Sequence, residues 1–249
     1  VNHSWLAVDL PTNFIVTGDI MRAVFIDIDN TLLDFEEYVR QTMKTGFEHF
    51  GLKPYEPYMY NVFTEENNKL WHMIEAGTIT FPELEKVRWN NIFHSLGIEF
   101  DGETFEKYFR HALNESAIPV AGAYELLEYL HGKYILCAAS NGPYDQQLHR
   151  LELAGMKKFF SYFFISEQIG ASKPSEEFFA RSFEILNDGR EKPIMPGETI
   201  IIGDSMSSDM AGGKNFGMKT CYFSNGKAAA DNIGVDHIVG RLETVEDFL

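Results

Sequence analysis

The stretch from Val24 to Asp34 constrains both the fold and the function of this chain more than any other. It begins as a short apolar run, which predicts a buried β-strand, and it continues through Asp27 and Asp29. Side chains two residues apart on an extended chain point the same way, so both carboxylates can reach one point beyond the strand. Two close carboxylates stay ionised together only with a cation between them; otherwise one is protonated and can serve as an acid. Either case predicts chemistry at this strand end.

The pair of acids taken alone has other interpretations. Asp is common in the turns that follow strands, so a single D-x-D pattern is weak evidence. A calcium-binding loop would need further oxygen ligands at alternate positions and a Gly at the sixth. Thr31-Leu32-Leu33 follow instead, so that interpretation is poor. The functional interpretation therefore depends on what other segments contribute.

Length and composition narrow the class of protein. The 249 residues allow one large domain or two modest ones, and 45% hydrophobic residues predict a sizeable core. The net charge of −16 argues against nonspecific binding to nucleic acid or anionic membranes. Cys137 and Cys221 lie in apolar, strand-like runs, which indicates buried thiols in a reducing, cytoplasmic compartment. No apolar run approaches the length of a membrane span, so we expect no membrane partner.

Helical periodicity dominates the segment after the first strand. Thr80 as N-cap, Pro82 in the first turn and Glu83 at the capping-box position mark one helix start. Short joints between helices predict a small bundle. Aromatic residues in it fit the bundle core, and which of them line a pocket stays open: Tyr58, Phe63, Trp71, Phe81, Trp89 and Phe93. The predicted helices are 36–50, 58–76, 80–96 and 103–114.

Strands and helices alternate from Pro119 onward, which implies βαβ units and a parallel sheet. We therefore predict a core domain from residues 21–35 and 116–249, with a helical domain, residues 36–115, inserted after the first strand. Met21 stands immediately before the first strand, so we expect residues 1–20 to be an N-terminal extension of unknown role upstream of a natural start at Met21; an N-terminal arm that belongs to the protein is the alternative. The further predicted strands are 134–139, 162–166, 198–202, 219–223 and 236–239, with helices at 121–131, 144–154, 176–186, 210–216 and 244–249.

Polar groups follow four of the predicted strands. In a parallel sheet the carboxyl ends of the strands share one edge, so these groups can converge there. Each group has an ordinary interpretation alone: a turn, a solvated lysine or a helix N-cap. Their conjunction, each after an apolar run, predicts one site. The groups are Asp27 and Asp29, then Ser140 and Asn141 with Gly142, then Lys173, and finally Asp204 and Asp209.

These residue types together indicate phosphoryl transfer. A carboxylate nucleophile needs charge compensation before it can approach a phosphate. A magnesium ion between Asp27 and Asp204 would supply it through the oxygen ligands that this ion prefers. Lys173 adds a second positive charge, while Ser140 and loop N–H groups can bind the phosphate oxygens. A catalytically silent binding protein of the same fold is the alternative from another class.

Four motifs stand in order along the chain: D-x-D-x-T from Asp27, Ser140-Asn141, Lys173-Pro174 and G-D-x-x-x-x-D from Gly203. This order resembles the haloacid dehalogenase (HAD) superfamily from about Ala23 to the end of the chain. The resemblance implies a Rossmann-like parallel sheet flanked by helices, and the helical insertion is similar to the C1 cap of that superfamily. The dehalogenases proper lack a carboxylate at the position of Asp29, so the resemblance favours a phosphatase.

The resemblance also implies individual roles. Asp27 would become an aspartyl-phosphate, and Asp29 would protonate the leaving oxygen and then deprotonate the attacking water. Asp29 would also give a backbone carbonyl to Mg²⁺, and Asp209 would orient Lys173 or a metal-bound water. The implied catalytic residues are Asp27, Asp29 and Lys173. The implied phosphate-binding residues are Thr31, Ser140, Asn141, Gly142 and Lys173, and the implied metal site comprises Asp27, Asp29, Asp204 and Asp209.

Several stretches are similar to the pyrimidine 5′-nucleotidase branch of the superfamily. Ala139-Ser140-Asn141 departs from the Val-Thr-Asn often found there, but a hydroxyl is kept. The branch implies a nucleoside 5′-monophosphate substrate, pyrimidines preferred, and a monomer or homodimer without nucleic-acid partners. Phosphoglycolate or a sugar phosphate is the alternative substrate. The similar stretches are 30–35, 70–71, 75–80, 141–142, 150–155, 164–174 and 208–213.

Overall fold

The computed structural model describes residues 21–227 and 234–249, so the predicted extension 1–20 lies outside the described residues. The described strands form one six-stranded parallel sheet in the order β3-β2-β1-β4-β5-β6. The predicted α/β fold with a parallel sheet is confirmed. The strands are β1 (Ala23–Ile26), β2 (Ile135–Ser140), β3 (Tyr162–Ile165), β4 (Thr199–Gly203), β5 (Lys219–Phe223) and β6 (His237–Val239).

The sheet has a topological switch point between β1 and β4. The chain builds β2 and β3 outward on one side of β1 and β4, β5 and β6 outward on the other. Open α/β sheets bind ligands in the crevice beyond the strand ends at such a switch point. The carboxyl ends of β1 and β4 therefore mark the expected position of the site.

Apolar residues on both faces of the sheet explain why its central strands are buried. All four residues of β1 are fully buried; Val24 and Ile26 face one core layer, and Phe25 faces the other. Side chains alternate between the faces of a strand, so a strand covered on both faces is apolar throughout. Cys137 and Cys221 are buried free thiols, as predicted.

Helices cover both faces and form the insertion. Thr80 and Glu83 form the predicted capping box, in which the Thr80 N–H donates to Glu83 Oε2 at 2.8 Å. The described α-helices are α1 (Phe35–His49), α2 (Pro57–Glu75), α3 (Phe81–Leu96), α4 (Gly102–Asn114), α5 (Ala123–Leu130), α6 (Tyr144–Leu153), α7 (Ser166–Ile169), α8 (Glu176–Asn187) and α9 (Ala211–Phe216).

The first four helices enclose an apolar core of their own. Trp89 is at its centre, and its ring lies 4.2 Å from that of Phe105 and 5.2 Å from that of Phe109, measured between ring centroids. This aromatic cluster is separate from the two layers that cover the sheet. Gly46 permits the close approach of α1 and α4, because a Cβ there would lie 2.7 Å from the Phe105 ring.

The structure differs from the sequence prediction at three short segments. The predicted helix 244–249 is a 3₁₀ segment, Leu242–Asp247, which buries Leu242 and Val245. A π-helical turn, Met206–Met210, precedes α9, and α7 was not predicted. Within the described ranges, no helix combines the length and apolar character needed to cross a membrane.

Candidate active site

Three carboxylates converge beyond the ends of β1 and β4. Oxygens of Asp27, Asp204 and Asp209 all lie within 4.8 Å of one another. Asp27 directly follows β1, and its N–H donates to Ile202 O of β4 at 2.9 Å, which fixes the loop to the neighbouring strand. A Cβ at Gly203 would lie 2.2 Å from Asp209 Oδ2, so this approach requires Gly at that position.

Lys173 lies beneath two of these carboxylates and is only 1% exposed. Its Nζ donates to Asp27 Oδ1 at 2.7 Å, to Asp209 Oδ1 at 2.6 Å and to Ala139 O at 2.6 Å. An ammonium group has three donors, and all three are used. Lys173 is therefore held in one position between Asp27 and Asp209.

Asn141 holds the main chain of Lys173. Its Nδ2 donates to Lys173 O at 2.9 Å, and its Oδ1 accepts from Lys173 N at 2.8 Å. Both ends of the amide are engaged, so the side chain of Asn141 positions the lysine. The structure supports this positioning role more directly than a contact between the amide and a phosphate.

The single positive charge of Lys173 does not balance the negative charge of the three converging carboxylates. Burial raises the pKa of Asp27 to about 7, with the charge of Asp209 adding to the effect and that of Lys173 opposing it. Burial and the charges of Asp27 and Asp209 hold the pKa of Asp204 well above its usual range. Burial lowers the pKa of Lys173, but Asp209 and Asp27 more than offset it and leave that pKa raised.

A hard divalent cation fits this donor set. The three converging groups offer only carboxylate oxygens, the ligands that Mg²⁺ prefers, and one half-buried member, Asp204, leaves an approach from the cleft. A cation placed among them would offset the repulsion that raises the pKa of Asp204. Asp27, Asp204 and Asp209 are thus the residues that could hold a metal.

The carboxylate of Asp29 contacts α6 and is not one of the three converging acids. Arg150 Nη1 donates to its Oδ1 at 2.7 Å, and Gln147 Nε2 donates to its Oδ2 at 2.8 Å. Arg150 and Gln147 are 1% and 2% exposed. Sequence reasoning assigned them no role, because polar residues three positions apart on a predicted helix usually form a solvent-exposed face.

The remaining predicted phosphate-binding residues occupy different surroundings. Ser140 lines the cleft, and its Oγ accepts from Gln147 Nε2 at 2.8 Å. The Gly142 N–H donates to Ser166 Oγ at 2.9 Å, so this donor is already engaged. Thr31 is fully buried, and its Oγ1 donates to Asp27 Oδ2 at 3.4 Å, which places it behind the nucleophile candidate.

A cleft of about 560 Å³ joins these groups to the helical insertion. Small-molecule sites usually have volumes in this range. Among the six aromatic residues left open by the sequence, Trp71 and Phe81 line the cleft, whereas Phe63, Trp89 and Phe93 are buried in the bundle core and Tyr58 is 47% exposed. The insertion contributes Asn67, Asn68, Trp71, His72, Glu75, Phe81, Arg88, Arg110 and Leu113 to the cleft wall, and Phe35 lies next to it just before the insertion begins.

A parallel sheet with Asp27, Lys173, Asp204 and Asp209 at its carboxyl edge defines a hydrolase of the HAD type. Residues 21–217 match the haloacid dehalogenase-like hydrolase family, and the chain belongs to it. The resemblance inferred from the motifs is confirmed.

Three curated relatives are similar over most of their length. The HAD-hydrolase YfnB of Bacillus subtilis is 31% identical over 82% of this chain and 84% of its own. The pyrimidine 5′-nucleotidase PynA of Streptococcus pneumoniae is 30% identical over 81% and 83%, and the pyrimidine 5′-nucleotidase YjjG of Escherichia coli is 29% identical over 91% and 96%. The crystal structure of magnesium-bound YfnB superposes with a TM-score of 0.82 at 29% identity, covering 92% of this chain and 98% of YfnB.

Proposed function

We propose that this chain is a magnesium-dependent nucleoside 5′-monophosphatase that prefers pyrimidines and works through an aspartyl-phosphate on Asp27. The observation that carries the proposal is the contact of Lys173 with both Asp27 and Asp209, beside Asp204. This arrangement places a carboxylate nucleophile beside one fixed positive charge, the Lys173 ammonium. It also provides oxygen ligands for a second positive charge, a metal ion. The finer choice of substrate rests on the relatives and on the wall of the cleft.

In the first step an Asp27 oxygen attacks phosphorus, a new P–O bond forms, and the bond to the leaving oxygen breaks. Asp29, held on the cleft wall by Arg150 and Gln147, gives its proton to that leaving oxygen. Lys173 compensates the charge on the phosphorylated Asp27, and the Ser140 hydroxyl donates to a phosphate oxygen. The alcohol or nucleoside then leaves.

In the second step water attacks the phosphorus, Asp29 takes the proton of that water, and the bond from phosphorus to Asp27 breaks to release inorganic phosphate. Asp29 is thus used once as an acid and once as a base, so each cycle returns it to its starting state. Asp27, Asp204 and Asp209 would hold Mg²⁺, with the main-chain carbonyl of Asp29. A bound magnesium ion supplies the positive charge that lets a carboxylate approach a phosphate.

We further propose that residues 36–115 form a cap domain over a core of residues 21–35 and 116–249. One polar contact between the cap and the core lies on the cleft wall, where Ser207 Oγ donates to Glu75 Oε1 at 3.4 Å. The structure of YfnB bound to magnesium is described as revealing interdomain movement. Closure of the cap would exclude water while Asp27 is being phosphorylated.

Two observations support a nucleoside over a smaller substrate. PynA and YjjG are pyrimidine 5′-nucleotidases, and the cap side of the cleft carries the half-buried rings of Trp71 and Phe81. Aromatic rings stack bases and tolerate differences among them. Phosphoglycolate or a hexose phosphate would favour a smaller and more polar pocket.

The test compares kcat/KM for UMP, dUMP, dTMP, AMP, phosphoglycolate and glucose 6-phosphate at one magnesium concentration. We expect the pyrimidine nucleotides to lead, with Asp27→Asn measured in parallel as the background control. A lead of about tenfold or more for phosphoglycolate or the hexose phosphate would refute the nucleotidase assignment and leave the phosphatase assignment standing.

A further inference from the structure

One face of α2 carries a polar residue where the helical pattern calls for an apolar one. Phe63, Asn67 and Trp71 are spaced four residues apart, so they lie along the same face. Phe63 is 2% exposed in the bundle core, and Trp71 is half-buried on the cleft wall. Asn67 lies between them at 6% exposure. A buried polar side chain is an informative exception, because it needs a partner or a purpose.

Arg88 of α3 is the partner that fixes Asn67. Arg88 Nη1 donates to Asn67 Oδ1 at 3.4 Å. The same guanidinium forms a bidentate ion pair with Glu106 of α4, in which Nε donates to Oε2 at 3.0 Å and Nη2 donates to Oε1. Arg88 and Glu106 are 3% and 4% exposed. Two parallel bonds hold the guanidinium plane, so the position of Nη1 is determined.

The chemistry of arginine determines which end of the Asn67 amide faces it. Arginine only donates hydrogen bonds, so the amide oxygen must face Arg88 and the NH₂ group must face away. Asn67 lines the cleft, and its Nδ2 donates to no acceptor among residues 21–227 and 234–249. Burying an ion pair such as Arg88–Glu106 contributes little net stability. The main effect of this ion pair is therefore to orient the Asn67 amide.

The charges around this amide favour an uncharged acceptor over an anion. The two cap arginines on the wall are already neutralised, Arg88 by Glu106 and Arg110 by Glu85. Every pyrimidine base carries a 2-carbonyl, and uracil and thymine carry a second at position 4. The Trp71 ring is one helical turn from Asn67 and packs 5.8 Å from the Phe81 ring, at 44°.

We propose that Asn67 is the specificity-determining residue that donates to a carbonyl oxygen of the substrate's base while that base stacks on Trp71. This inference rests on the nucleotidase function proposed above. It assigns base recognition to α2 and leaves the phosphate chemistry with the strand ends.

Asn67→Asp and Asn67→Ala test this assignment. The Asp variant keeps the shape and the oxygen that faces Arg88 but replaces the donor with an acceptor, and the Ala variant removes the amide altogether. Asn61→Asp makes the same chemical change on an exposed face of α2, outside the cleft, and serves as the matched control. Each protein is assayed with UMP and with ribose 5-phosphate, which is the same sugar phosphate without a base.

The readout is the ratio of kcat/KM for UMP to that for ribose 5-phosphate. Both values come from one sample, so partial unfolding of a variant cancels from the ratio. We expect a fall of about tenfold or more in both Asn67 variants, the usual effect of losing one directed hydrogen bond to a substrate, and the wild-type ratio in Asn61→Asp. An unchanged ratio in both Asn67 variants would overturn the assignment. A wild-type enzyme that does not favour UMP over ribose 5-phosphate would instead refute the nucleotidase function itself.

Discussion

Replacing Asp204 with Asn should separate the electrostatic cost of the acid cluster from its capacity to hold a metal. At an effective dielectric constant of about 20, two ionised carboxylates whose oxygens lie within 4.8 Å of each other repel by roughly 3.5 kcal/mol or more. Lys173 and partial protonation relieve part of this repulsion, in line with the raised pKa of Asp204. Asn keeps the shape and removes the charge, so we expect the metal-free variant to be about 1 kcal/mol more stable than the wild type.

Magnesium should reverse that ranking. A ligand at about one hundred times its Kd stabilises the folded state by about 2.7 kcal/mol, and each kcal/mol shifts Tm by about 2–4 °C in a chain of this size. The wild-type protein should therefore gain roughly 5–11 °C from saturating magnesium. Asp204→Asn should gain less than about 2 °C at the same concentration, because it lacks one charged ligand.

Thermal unfolding followed by circular dichroism, with EDTA and then with magnesium, measures both effects. Asp188→Asn is the matched control, since Asp188 is exposed at the C-terminal end of α8 and does not line the cleft. It should keep the full magnesium shift. A wild-type magnesium shift in Asp204→Asn, or a large loss of stability in its metal-free form, would refute the electrostatic account of the cluster.

Four further outcomes are expected. Excess EDTA should abolish turnover, magnesium or manganese should restore it and calcium should restore it poorly, as a phosphate-release assay will show; full activity in EDTA would contradict this. Asp27→Asn should lower kcat at least about a thousandfold with an unchanged circular-dichroism spectrum, because covalent groups usually contribute that much. Arg150→Met should lower kcat/KM for UMP about tenfold or more, since Asp29 keeps only Gln147 as a donor; wild-type kinetics would show that α6 does not position Asp29. Hydrogen exchange at residues 35–36 and 116–120 should slow when a phosphate analogue binds, because the cap closes there, and equal exchange in both states would count against closure.

The sequence allowed the framework of the site to be predicted, because apolar runs followed by polar residues are local patterns. The strand ends at Asp27, Ser140 and Asp204 needed only the rule that parallel strands present their carboxyl ends together. The contacts of Asp29 with Gln147 and Arg150 span 118 and 121 positions of the chain. No periodicity in the sequence indicates that the side chain of Asp29 would contact those two residues.

The sequence also could not show which cap residues line the cleft. Trp71 and Trp89 both lie within predicted helices of the insertion, yet Trp89 is fully buried in the bundle and Trp71 lines the cleft. Which one faces the core depends on how α2 and α3 pack against each other and against the sheet. The role of Asn141 likewise depends on the main chain of Lys173, 32 positions away.

Detection of a phosphorylated Asp27 tests the central claim most directly. The enzyme is mixed with p-nitrophenyl phosphate and magnesium, quenched in acid within the first turnovers, digested and examined by peptide mass spectrometry. This substrate makes the result independent of any base preference. The account predicts a phosphoryl group on the peptide that contains Asp27, and none in Asp27→Asn. Turnover of the wild-type enzyme with a phosphoryl group on another residue, or with none under conditions that trap an acyl phosphate, would contradict it.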